Sequence, residues 1–289
     1  MFGVLAGSVA FADAPSGAFA IRIVGAPPAL ESEIHESARD AERVCAAWYG
    51  LRHERSVTIE WVSDSETLGR YDMAGSGSVA GVAIDSESRI LLSAPILSAN
   101  PARLRPVVLH EMSHLFFGDA VAGAEVLPPR WLNEGIAMRI SRDWDLGLSW
   151  RTDYESVLVD ASAGGSLIPF SELDASFPPG PFFHLAYAQS LSFVEWLATL
   201  RGDDGLRAVL AALDRDLDPG PAFAEVYGKT LEVAQAEWIE QLRPRGWLGR
   251  LPSTQTIFSA LWVGLGLLIV LKFVRTRIQL HRAEEGFDE

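Results

Sequence analysis

Across 289 residues, apolar side chains make up 48 % of the chain and nine residues are tryptophan. That is enough for a sizeable core in one large or two small domains, and it is too apolar for a disordered chain. The formal charge is −14, from 38 acidic against 24 basic residues, and only two of the basic ones are lysines. This balance argues against a nucleic-acid partner, which needs a basic surface, and the single cysteine, Cys45, excludes an intramolecular disulfide.

The first fourteen residues, MFGVLAGSVAFADA, carry a short apolar run and a small-x-small ending, as a secretory signal does, though without its basic flank. AFAIRIVGAP then reads as a strand with Ile21, Ile23 and Val24 inward. PALESEIHESARDAERVCAAWYG follows as a helix with an apolar stripe at Ile34, Ala38, Ala41, Val44 and Trp48, on which Cys45 is a buried, inert thiol. SVTIEWVS alternates as a second strand, ETLGRYDMAGSGSVAG is a Gly/Ser-rich loop, and GVAIDSESRILLSAP is a hairpin whose second arm is residues 89–93. Asn100 and Pro101 offer a cap and a first-turn proline, and Pro106 is expected to restart or kink that helix, leaving 107–117 as a separate segment. A further helix begins at PPRWLNEGIAMRIS, and three more at FHLAYAQSLSFVEWLATLRG, GLRAVLAALDRD and TLEVAQAEWIEQLR. YGKT at 227–230 lacks the glycine-rich lead-in of a phosphate loop.

The C-terminal stretch 257–271 is fifteen residues without a charge. Extended to 254–274, with Lys272 reaching toward the interface, it attains the ~20 residues that span a bilayer. Lys272, Arg275, Arg277 and Arg282 cluster after it, which favours a cytoplasmic C-terminus. The expected organisation is therefore a signal segment at 1–14, an extracytoplasmic domain at 15–242, a linker at 243–253, a transmembrane helix at 254–274 and a short cytoplasmic tail at 275–289. The domain itself reads as α+β, with a β-rich N-terminal half, two motif-bearing helices and an all-helical remainder.

The chemistry sits in VVLHEMSHLFFGD, residues 107–119. Residues four apart share a helix face, so His110 and His114 can aim both imidazoles at one cation, with Glu111 at the edge of that face. This is the H-E-x-x-H spacing, in which the glutamate acts on zinc-bound water. A catalytic zinc needs a third protein ligand and an open position. Asp119 is too close along the same helix, Glu125 lies in a probable loop, and Glu134 sits in WLNEGIA, on a fresh helix twenty residues after His114. Glu134 is the expected third ligand.

HEMSH followed by WLNEGIA resembles the gluzincin clan of zinc metallopeptidases, and the span from about 89 to 243 is similar to the bacterial peptidase-MA-like domain, with AYAQSLSFVEWL and VYGKTLEVAQAEWIEQL beside the metal motif. The resemblance implies a zincin-like fold and one Zn²⁺ on His110, His114 and Glu134. It also implies a Glu111 that takes a proton from water attacking a peptide carbonyl and delivers it to the leaving amine. His184 and Tyr187, in FFHLAYAQ, are the available oxyanion donors, with core packing as the alternative role of Tyr187. The expected partners are a peptide or protein substrate and, through the C-terminal helix, the membrane. Two departures stand out. Met138 occupies the place where thermolysin-like enzymes carry an aspartate behind a zinc histidine, so Asp119 or a backbone carbonyl is expected there instead. An aminopeptidase-style G-x-M-E-N strand is also missing, and the plain strand in GVAIDSESRILLSA suits extended peptides and internal cleavage. A catalytically silent peptide-binding protein on the same fold is the alternative. His35, His53 and His281 read as surface residues.

Overall fold

The structure is a computed structural model that describes residues 20–70, 79–142, 154–215, 217–242, 262–265, 268–269 and 272–273. Strand β1 (Ile21–Val24) leads into α1 (Pro28–Tyr49), then β2 (Val57–Val62) and a short α2 (Ser65–Gly69). The hairpin of β3 (Gly81–Ile84) and β4 (Arg89–Ser93) follows, then α3 (Ala94–Ala99) and α4 (Leu104–Ala120). The remainder is helical: α5 (Arg130–Ser141), α6 (Tyr154–Gly164), α7 (Phe170–Leu173), α8 (Pro181–Asp214), α9 (Pro219–Tyr227) and α10 (Leu231–Leu242). This is the expected α+β layout.

The sheet runs β1-β2-β4-β3, parallel except for β3, which pairs antiparallel with β4 in the register Gly81↔Leu92 to Ile84↔Arg89. In β2, Val57, Ile59 and Trp61 join the main core, and α1 packs against β1 and α4. Val62, Leu68 and Leu91 form a smaller cluster with Val82 and Ile84. In α1 the buried line is Ile34, Ala38, Ala41, Cys45 and Tyr49, whereas Val44 is 41 % exposed and Trp48 is half-buried. The expected stripe is thus rotated by one residue at its C-terminal end. Tyr49 takes the inner place because its hydroxyl hydrogen-bonds to Ser113 on α4, donating to the carbonyl or sharing a proton with the side-chain oxygen. Cys45 is buried, and burial pushes its thiol well above the ordinary range.

Helix α4 buries residues around most of its circumference, including Val107, Val108, Met112, Leu115 and Phe116, as befits a central helix. Pro106 neither restarts nor kinks it. Proline in the first turn sacrifices no intrahelical hydrogen bond, because the first four N–H groups have no partner in the helix anyway. Helix α5 packs between α4 and α8. The break expected after ATLRG is present: Arg201 and Gly202 leave helical geometry inside α8, Gly202 at φ +64°, a value that suits glycine. Helices α2, α3, α6, α7 and α9 were not anticipated; α2 takes up the ETLG that opens the expected loop, and α9 begins PGP, a poor advertisement for a helix although proline suits a first turn.

The segments 1–14, 243–253 and 275–289, and the Gly/Ser-rich stretch 71–78, lie outside the described residues, as does His281. Only parts of 254–274 are described. Among the described residues no helix is long and apolar enough to cross a membrane, so the transmembrane helix gains no structural support.

Candidate metal centre

Helix α4 presents His110 and His114 on one face and α5 brings Glu134 against them. Glu134 Oε2 lies 3.4 Å from His110 Nε2 and 3.6 Å from His114 Nε2. The three ligand atoms all fall within 4.8 Å of one another. This is the trio expected from the spacing, and it could hold a metal ion. Glu111 is buried beside it, and all four residues line one open cavity of about 780 Å³.

Two of the three, His114 and Glu134, are held from behind. The His114 Nδ1–H donates to Asn133 Oδ1 at 2.8 Å, which leaves Nε2 with its lone pair turned toward Glu134. Asn133, the residue before the carboxylate, therefore fills for His114 the orienting role that was expected of Asp119 or a backbone carbonyl. Asp119 is occupied elsewhere: it accepts from His53 Nδ1 at 2.5 Å, while Ser88 hydrogen-bonds His53 Nε2 at 2.6 Å. His53 is buried, not a surface residue, and it ties the β3–β4 turn to the end of α4. Arg130, one turn before Glu134, donates from Nε to Glu134 Oε1 at 3.2 Å, its Nη2 lies 3.2 Å from the same oxygen, and its guanidinium stands 5.1 Å over the Phe177 ring.

Burial works to raise the Glu134 carboxyl, but the neighbouring His114, His110 and Arg130 outweigh it and hold it down to about 2. Burial pushes His114 below the ordinary histidine range, against the attraction of Glu134. The trio at neutral pH is thus a carboxylate beside an uncharged His114 imidazole. Tyr187 lines the same cavity and hydrogen-bonds with Arg130; burial, then the nearby Glu134, pushes its hydroxyl up, so it stays protonated and able to donate. His184 does not line the cavity; its ring packs against Phe183, and burial lowers its pKa. Glu125 lies exposed on the cavity wall, away from the trio.

Sequence reasoning missed Asn133 and Arg130. Arg130 had a readable signal, since it stands four residues before Glu134 on one helix face. Asn133 had none, because its partner lies on another element.

Two imidazoles and a carboxylate converging in a cleft of a helix-rich α+β domain define a metallopeptidase-like architecture. The family model of the peptidase MA superfamily matches residues 40–243, and the chain belongs to that superfamily. The match begins within α1 and so takes in β2 and β3 as well as the helices. No curated protein matches the chain.

Proposed function

We propose that this chain is a zinc-dependent peptidase that cleaves internal peptide bonds outside the cytoplasm, held at the membrane by its apolar stretch 254–274. One observation carries the zinc assignment. Glu134 Oε2 is buried, makes no hydrogen bond of good geometry, and stands 3.4 and 3.6 Å from the two histidine Nε2 atoms. A buried carboxylate oxygen left so is costly unless a cation completes it. The donor set fits: ligands at ~2.0–2.1 Å in a tetrahedron stand ~3.3 Å apart, close to the 3.4 and 3.6 Å found here.

His110, His114 and Glu134 would hold the ion, which when bound supplies a Lewis acid and a water nucleophile at neutral pH. Glu111, buried at the cavity wall, takes the proton of the attacking water and returns it to the leaving amine. Tyr187 donates its hydroxyl to the oxygen on which charge develops. Arg130 keeps Glu134 Oε1 engaged and so leaves Oε2 to the cation. Strand β3 borders the cavity, and among the described residues no strand pairs with its outer edge. A peptide can add there as a further strand, with chain running past the site in both directions.

Elemental analysis of the purified protein, parent beside Glu134→Ala, tests the assignment, with a library of internally quenched peptides as the activity probe. One zinc per chain in the parent, its loss in the variant and cleavage of internal bonds are expected. A well-folded parent that takes up no zinc would turn the reading to a peptide-binding module. Detergent-dependent extraction of the full chain, lost on ending it at residue 242, is the expected result for the tether.

A further inference from the structure

Gly81 opens β3, directly over α4. A Cβ placed on it would lie 2.8 Å from Glu111 Cγ, 2.8 Å from Val107 Cγ1 and 2.9 Å from Glu111 Oε1. These separations are all shorter than van der Waals contact allows. The backbone there is outside the left-handed region, so an alanine would meet no conformational objection, only a lack of room. The one side chain of this strand that is absent is therefore the one that would occupy the place of the general base.

The same residue faces the incoming chain. Ser93 N donates to Ala80 O at 2.9 Å, and the register pairs Gly81 with Leu92. Hydrogen-bonded and non-hydrogen-bonded pairs alternate along an antiparallel ladder. Residues 80 and 82 therefore bond to β4, and Gly81 and Ala83 turn their N–H and C=O groups to the outer edge. Gly81 thus meets a bound peptide with its backbone and Glu111 with its α-carbon.

We propose that Gly81 is a positioning residue: the absence of a side chain sets the spacing between the peptide-binding edge of β3 and the Glu111 carboxylate. This rests on the peptidase reading above, and on no property of the metal ligands, none of which Gly81 is seen to touch. A side chain at 81 moves Glu111 away from the scissile bond while leaving the edge N–H and C=O groups in place. Binding of peptide and metal should then survive while turnover fails.

The test is Gly81→Ala and Gly81→Val in the full-length protein, measured for zinc content, melting temperature, and kcat and KM on the best substrate of the quenched-peptide library. A displacement of Glu111 by about 1 Å should lower kcat roughly 100-fold. Valine should lower it further, and zinc content and KM should stay near the parent values. A packing defect would instead move zinc content and melting temperature together with kcat. If Gly81→Ala does not fold, Gly81→Ala with Val107→Ala removes one of the three clashing atoms and carries the same measurements. Parent-like kcat in either alanine variant overturns the proposal and leaves the peptidase reading intact. A zinc-loaded parent that cleaves nothing overturns both.

Discussion

Replacing Asn133 with alanine removes the oxygen that accepts from His114 Nδ1 at 2.8 Å. The hydrogen bond joins two neutral groups, so its direct contribution to folding is about 1 kcal/mol. Its larger effect should fall on the metal. The imidazole loses the contact that fixes both its tautomer and its rotation, and outer contacts of this kind typically change affinity about 10–100-fold. That corresponds to roughly 1.4–2.7 kcal/mol of binding free energy. Zinc competition against a chelating dye, parent beside Asn133→Ala and Asn133→Asp, measures it. Aspartate restores an acceptor of the same reach and adds charge, so it should bind zinc at least as well as the parent. Equal affinity in parent and Asn133→Ala, or an equal fall in both variants, would refute the argument that Asn133 orients His114.

Glu111→Gln should retain the full zinc content and lose peptide cleavage, because the amide keeps the shape but cannot take up the proton; elemental analysis beside the quenched-peptide assay separates the two. Gly135→Ala should destabilise the fold by about 1–3 kcal/mol, since its Cβ would lie 2.6 Å from both the Ser190 carbonyl oxygen and Val194 Cγ2; thermal melting is the readout. His53→Ala should cost about 1–2 kcal/mol by leaving the buried Ser88 hydroxyl without its partner, Asp119 keeping Arg55, against less than ~0.5 kcal/mol for a surface histidine; denaturant titration decides between them.

The periodicities carried most of the architecture. His110, His114 and Glu134 were legible because a helix places residues four apart on one face, and because a second helix after two prolines was readable at WLNEGIA. The break in α8 was legible as the gap between FHLAYAQSLSFVEWLATLRG and GLRAVLAALDRD. What stayed hidden depends on contacts across elements. His53 reads as polar and exposed in RHERS, yet its burial comes from Ser88 and Asp119, thirty-five and sixty-six residues away. Trp48 and Tyr49 compete for the inner face at the end of α1, and the contest is decided by Ser113 on another helix. Asp119 was the plausible partner for a histidine by proximity along the chain, and it is a partner, but of His53 on the far side of α4. Membrane attachment stands on hydropathy and flanking charge alone.

Gly135 has a mechanical consequence for the site. It lies next to Glu134 in α5 and against Ser190 of α8, one turn from Tyr187, so the two helix backbones come close beside the cavity. Helices that rock against each other do so about such a fulcrum, and their ends travel farthest. Groups beside the fulcrum are carried least. Glu134 and Tyr187 therefore sit on the short arms of both levers, where thermal rocking of the helical half of the domain changes their separation least.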